Sequence, residues 1–140
     1  MDRFTRNYSI ILGIIVIGIL AVALYEDPLV SDLNDLLEQD AEISAYPYTF
    51  RVLRAKNGIA TMSTPRSVEF PVQRALGILF PHLANRAQDD PDLMRAQDEL
   101  ARVQKHAQAL ITQSPEITRV NWALDKDWLR QHGVPVGLEN

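Results

Sequence analysis

Residues Ile10–Tyr25 read IILGIIVIGILAVALY, a run without a single charge. As a helix rising about 1.5 Å per residue it spans roughly 24 Å. Tyr8 and Ser9 carry it toward the roughly 30 Å hydrocarbon layer of a bilayer. Backbone polar groups in lipid must be satisfied within their own segment, so one uninterrupted α-helix is expected. Everything after it is too polar to enter a membrane. The expected organisation is therefore a cytoplasmic segment 1–9, a transmembrane helix 10–25, a water-exposed domain 26–134 and a C-terminal tail 135–140.

The flanks give the expected direction. Arg3 and Arg6 precede the run, Glu26 and Asp27 come after it, and no further Lys or Arg occurs before Arg51. The positive-inside rule then leaves the N-terminus in the cytoplasm and the domain in the periplasm, anchored in a bacterial inner membrane as a single-pass protein. Tyr8 and Tyr25 stand where interfacial aromatics belong. Ala21-Val22-Ala23 matches the small-x-small pattern of a cleaved signal peptide, but the apolar run continues without a polar region before it, which favours a retained anchor. Gly13 and Gly18 are five apart and do not form the G-x-x-x-G packing face. The run has no ionisable group with which to pass a proton or ion.

The 140 residues carry a net charge of −4, which argues against a nucleic-acid partner. There is no cysteine, hence neither a disulfide nor the attachment point of a lipoprotein. After the anchor, about 115 residues suffice for one domain with a modest core.

Asp27-Pro28 has the form of an N-cap followed by proline at the first helical position. Leu29, Leu33, Leu36 and Leu37 then recur at helical spacing to about Gln39. The opposite face of this helix carries Asp32, Asp35 and Glu38, a solvated surface or a docking face for a basic partner. Tyr48–Arg54 and Ile59–Thr64 read as strands joined by Asn57-Gly58, the favoured type I′ hairpin turn. That turn would set Leu53 opposite Met62 and Ala55 opposite Ala60. Arg51, Arg54, Lys56 and Arg66 make the hairpin basic, a charge that the acidic helix of the same domain would complement.

Val72, Ala75, Leu76 and Leu79 form one face of a short helix ending near Pro81. Asp90-Pro91 opens a longer helix to about Gln113, with an apolar stripe of Leu93, Ala96, Leu100, Val103, Ala107 and Leu110 suited to lying on a sheet. Thr118, Val120, Trp122 and Leu124 alternate as a third strand. Asp125 caps a last short helix holding Trp128 and Leu129, which Gly133 ends. The fold class expected is α+β: an N-terminal transmembrane helix, then a small three-stranded antiparallel sheet packed with helices.

Three segments resemble the BON domain, a small α/β module of bacterial envelope proteins. Residues 33–42 are similar to its first helix. Asn57-Gly58-Ile59-Ala60-Thr61-Met62-Ser63 resembles its N-G-x-V-T-L-S hairpin, and Ile117–Leu124 its closing strand. Thr64-Pro65 stands where the module has glycine, and Val68–Pro91 is an additional helical segment. The resemblance implies a non-catalytic module that binds phospholipid or envelope protein. The whole chain also resembles a family of short membrane-anchored proteobacterial proteins. The likeness rests on Arg6–Tyr8 (RNY), Tyr25–Pro28 (YEDP), Tyr46–Leu53 (YPYTFRVL), Asn57–Ser67 (NGIATMSTPRS) and Trp128–Val134 (WLRQHGV).

Some members of that family bear the label glutamine synthetase adenylyltransferase. That chemistry needs a Gly-Ser turn and a D-x-D or D-x-E pair on a strand to hold magnesium. Here Asp125-Lys126-Asp127 falls at a helix cap with no Gly-Ser before it, and Asp90-Pro91-Asp92 opens the long helix. His82, His106 and His132 have no metal-ligand spacing. No nucleophile elbow or phosphate-binding glycine loop occurs, and Ser63 and Ser67 read as turn residues without a base. Catalytic, cofactor-binding and metal residues are thus none expected. The function expected is a non-enzymatic, membrane-anchored interaction domain, an accessory subunit or assembly factor of a larger inner-membrane complex. A BON-like module binding membrane lipids is the second reading and an enzyme the last. The candidate partner-binding residues are Asp32, Asp35, Glu38, Arg51, Arg54, Lys56 and Arg66.

Overall fold

The computed structural model describes residues 2–24 and 27–136. The apolar run lies in α1 (Arg3–Leu24), which Asp2 caps by accepting from the Thr5 N–H at 2.8 Å. Its 22 residues give about 33 Å of helix. One helix is therefore long and apolar enough to cross a membrane, and none of its spanning stretch is buried against the protein. Helix thus begins well before Ile10, taking in Arg3 and Arg6. Tyr25 and Glu26, the expected end and flank of the span, lie outside the described residues.

The domain proper is a three-stranded sheet with helices. Helix α2 (Pro28–Gln39) opens as expected, with the Asp27 carboxylate accepting from the Leu29 N–H. It is followed by α3 (Ala41–Ala45), which the sequence reading did not separate from the turn before the hairpin. Strands β1 (Val52–Lys56) and β2 (Ile59–Thr64) form the hairpin. Asn57 and Gly58 both have positive φ, 53° and 78°, as a type I′ turn demands. Then come α4 (Val72–Leu79), a 3-10 turn (Pro81–Leu83), α5 (Pro91–Thr112), β3 (Arg119–Leu124) and α6 (Lys126–Gln131).

Apart from the first strand, which runs over Val52–Lys56 and not Tyr48–Arg54, two sequence expectations about the sheet need correction. The first concerns direction: β3 runs parallel to β2, with Ile59 beside Arg119 and Thr64 beside Leu124, so the order β1-β2-β3 is mixed rather than antiparallel. Alternation along a strand reports which face is buried but not which way the neighbour runs. A parallel neighbour needs a long crossover, and the α4–α5 segment supplies it. The second concerns register. Ala55 does pair with Ala60, but Met62 faces Val52, not Leu53. A β-bulge between Val52 and Arg54 turns Val52 into the core and leaves Leu53 42% exposed. An uninterrupted pleat would have put Val52 on the opposite face from Ala55.

The core lies between one face of the sheet and the helices. Val52, Ala60 and Met62 from the strands meet Leu33 and Leu37 of α2 and Leu100, Val103, Ala107 and Ile111 of α5. The α5 stripe matches expectation through Ala107 and then passes to Ile111, with Leu110 only partly buried. A straight helix of 3.6 residues per turn drifts away from a strict seven-residue repeat. A smaller cluster of Phe70, Ala75 and Leu129 closes the far end, with Val134 and Val136 packed on it. Val136 therefore belongs to the folded domain rather than to a free tail, while residues 137–140 lie outside the described residues.

Candidate functional site

The expected contact residues separate into surfaces of different kinds. In β1, Arg54 is paired with Thr61, and Lys56 with Ile59. In parallel register Ile59 is beside Arg119, and Thr61 beside Asn121. Lys56, Ile59 and Arg119 thus form one row across the three strands, and Arg54, Thr61 and Asn121 the next. Partners across a ladder share a face, and this face is the one turned away from the core. Arg54, Lys56, Arg119 and Asn121 are exposed there. The strands contribute no carboxylate to it; Glu116, on the loop entering β3, is the nearest acid in sequence. Strands about 4.8 Å apart hold Lys56 and Arg119 about 10 Å from each other on a firm platform. Arg119 escaped the sequence reading because its place beside Ile59 depends on the parallel pairing.

Arg51 and Arg66 do not extend this platform. The Arg51 guanidinium lies 4.0 Å from Asp125, a carboxylate only 11% exposed. The same Asp125 accepts from the Tyr48 hydroxyl at 2.8 Å and from the Trp128 N–H that begins α6. Burial pushes the Tyr48 phenol well above its ordinary range, so it stays protonated and donates to Asp125. Arg51 therefore helps to close the end of the sheet. Arg66 is half-buried on the loop after β2, with its Nε lacking a hydrogen-bond partner among the described residues.

On α2, Asp32, Asp35 and Glu38 are all exposed, with Leu36 beside them 39% exposed. Among the described residues no ion pair links these acids to Arg54, Lys56, Arg119 or any other base. The expected neutralisation of hairpin by helix is absent there. What joins α2 to the hairpin is Asn34, whose side chain accepts from the Val52 N–H at 2.7 Å and donates to the Val52 carbonyl at 3.1 Å.

His106 is not a free surface residue. Its Nε2 lies 2.8 Å from Asp40 and 3.7 Å from Glu42, and Arg102 pairs with Glu42. Asp40 also accepts from the N–H groups of Glu42 and Ile43 as the N-cap of α3. The Ile43 N–H first, and His106 second, hold its carboxyl below the ordinary carboxylate range. This cluster fastens α3 to α5. Ser67 serves a turn as expected, accepting from the Glu69 and Phe70 N–H groups, whereas Ser63 lies within β2 and accepts from the Arg51 N–H across the hairpin.

The two D-x-D pairs are also committed structurally. Asp90 caps α5 and pairs with Arg86 at 2.9 Å. Asp127 is exposed and pairs with Arg130, whereas Asp125 is turned into the latch with Tyr48. No three His, Asp or Glu side chains among the described residues are grouped so as to hold a metal ion. Comparisons with protein-family models, curated proteins and solved structures each find no match.

Proposed function

We propose that this protein is a membrane-anchored interaction domain, an accessory subunit or assembly factor held at the inner membrane with its α+β domain in the periplasm. The observation that carries the reading is the pairing of one exposed, apolar, membrane-length helix with a domain whose acidic and basic faces find no ion partners among the described residues. Tethering confines the domain to a plane and raises its effective concentration near membrane partners. Charges left unpaired on opposite faces steer association and reject wrong partners more than they stabilise the monomer.

A second reading is favoured by the flat basic platform. Anionic head groups would meet Arg54, Lys56 and Arg119 together, in keeping with the likeness of the hairpin to a BON module. One set of variants separates the two. Full-length protein carrying Asp32→Lys and Asp35→Lys, or Arg54→Glu and Lys56→Glu, is purified in mild detergent beside the native chain. On the first reading the native chain brings down a stoichiometric companion, and at least one double variant loses it. On the second, vesicles containing anionic lipid float with the native chain and with the α2 variant, but not with the hairpin variant. A native chain recovered alone and indifferent to anionic lipid would refute both.

A further inference from the structure

A groove of about 400 Å³ opens between α4, the 3-10 turn and the Val134 segment. That volume falls within the roughly 300–1,000 Å³ of small-molecule sites. Its floor is apolar: Phe70, Leu83 and Leu93 are buried core residues, with Ile78 and Val134 partly buried around them. Gly77 and Ala84 form the narrow wall, where a Cβ on Gly77 would stand 3.4 Å from the Ala84 Cα. Asn85, at the rim, adopts φ 64°, a left-handed conformation uncommon for a residue with a side chain.

The rim is cationic. No carboxylate lines the groove, although the chain as a whole carries net charge −4. Arg86 is held on one side by Asp90 and by the His82 carbonyl. Arg74, on the other side, lies 4.7 Å above the Phe70 ring. That contact places the cation against the ring's electron-rich face. Among the described residues no side-chain acceptor or carboxylate is bonded to the Arg74 guanidinium. A second cavity, of about 190 Å³, adjoins the first and shares Phe70, Arg74 and Val134 with it. Arg74 therefore stands at the junction of the apolar groove and a more polar hollow that Glu69 and Lys126 also line, with a planar fork suited to a carboxylate.

We infer that this groove binds an apolar carboxylate, a single-chain fatty acid or close analogue, with its head on Arg74 and its chain over Phe70, Ile78 and Leu83. The charge and the apolar floor require both properties in one ligand. A hydrocarbon without an acid leaves Arg74 unmet, and a small acid without a chain leaves the floor wet. The inference is independent of the charged faces, which lie elsewhere on the domain.

The test uses full-length protein in nanodiscs of zwitterionic lipid, titrated with decanoate while empty nanodiscs correct for partitioning into the bilayer. The readout is the ¹³C-methyl signals of Ile78 and Val134. Decanoate should shift both saturably, and octanoate should bind about fifteenfold more weakly, from roughly fourfold for each of the two methylenes it lacks. Arg74→Gln should weaken decanoate at least about tenfold and abolish its advantage over decanol. Ala84→Phe, at an exposed position on the wall, should block both ligands while leaving the remaining methyl spectrum in place. Equal binding of decanoate and decanol by the native chain would overturn the inference. So would the absence of saturable shifts, or saturation by an apolar peptide terminus but not by decanoate.

Discussion

Asp40 links two helices through one carboxylate. It accepts from two N–H groups at the start of α3 and reaches His106 on α5. Removal of a capping carboxylate costs about 1 kcal/mol, within a range of roughly 0.5–2, so Asp40→Ala should lower the urea midpoint, tracked by Trp122 and Trp128 fluorescence, without changing the slope. Asp40→Asn keeps a capping oxygen and should lose less. The two variants also differ with acidity. The folded Asp40 carboxyl is held below the ordinary 3.8, so it binds a proton more weakly in the folded chain than in the unfolded one. Its contribution is therefore complete above about that value and is lost as pH falls through the lower folded value. In Asp40→Asn this part of the acid-induced loss should vanish; an unchanged acid limb would assign the stabilisation to the neutral cap alone. Such residues were half legible. Asp27, Asp90 and Asp125 announced their caps because proline or an apolar period came after each. Asp40 did not, because α3 is only five residues long and its bond to His106 joins positions far apart in sequence.

At the scale of elements, the edge of the sheet depends on α2. Strand β1 has β2 on one side only, and an open edge of unpaired backbone invites pairing with other chains. Asn34 meets this by accepting from and donating to the backbone of Val52, beside the bulge. Asn34→Ala would leave both groups of Val52 without partners, at about 1–3 kcal/mol for a buried unsatisfied group. We expect lower stability together with concentration-dependent association, read by light scattering; a destabilised variant that stays monodisperse would separate the two roles. The hairpin turn was legible because Asn57-Gly58 decides it locally. The bulge was not, since it depends on Val52 rather than Leu53 filling the space above Met62, a choice made by α2 and α5. Arg119 was hidden for a related reason, as its membership of the basic platform depends on strand direction.

For the whole molecule, the apolar run and the polarity of the domain beyond it were plain in the sequence, and the structure adds a helix that reaches back to Arg3. The orientation proposed for it makes a direct prediction. Alkaline phosphatase fused after residue 140 should be active in a bacterial host, since that enzyme requires the periplasm. The fusion should remain in the membrane fraction after alkaline washing. An inactive fusion would reverse the orientation, and an active fusion released by the wash would favour cleavage after the Ala21-Val22-Ala23 pattern. The charged surfaces were only partly legible: Asp32, Asp35, Glu38, Arg51, Arg54 and Lys56 do lie exposed, Arg51 also coming within 4.0 Å of Asp125, whereas Arg66 is half-buried. A charge in sequence does not say whether a part-buried carboxylate waits nearby, as Asp125 does for Arg51.

The parallel β3 also has a consequence in time. β1 and β2 can pair as soon as Lys56 and Ile59 have been made, because only the Asn57-Gly58 turn separates them. The outer side of β2 must wait until all of α4 and α5 has been synthesised, since its neighbour is β3. Closing so long a loop has an entropic cost that no local contact offsets in advance, and non-local pairing is slow. During that interval the nascent domain has Ile59–Thr64 unpaired along one side. Its vulnerability to aggregation and to proteases is therefore greatest while it is being made, and a chain truncated within α5 would remain in that state.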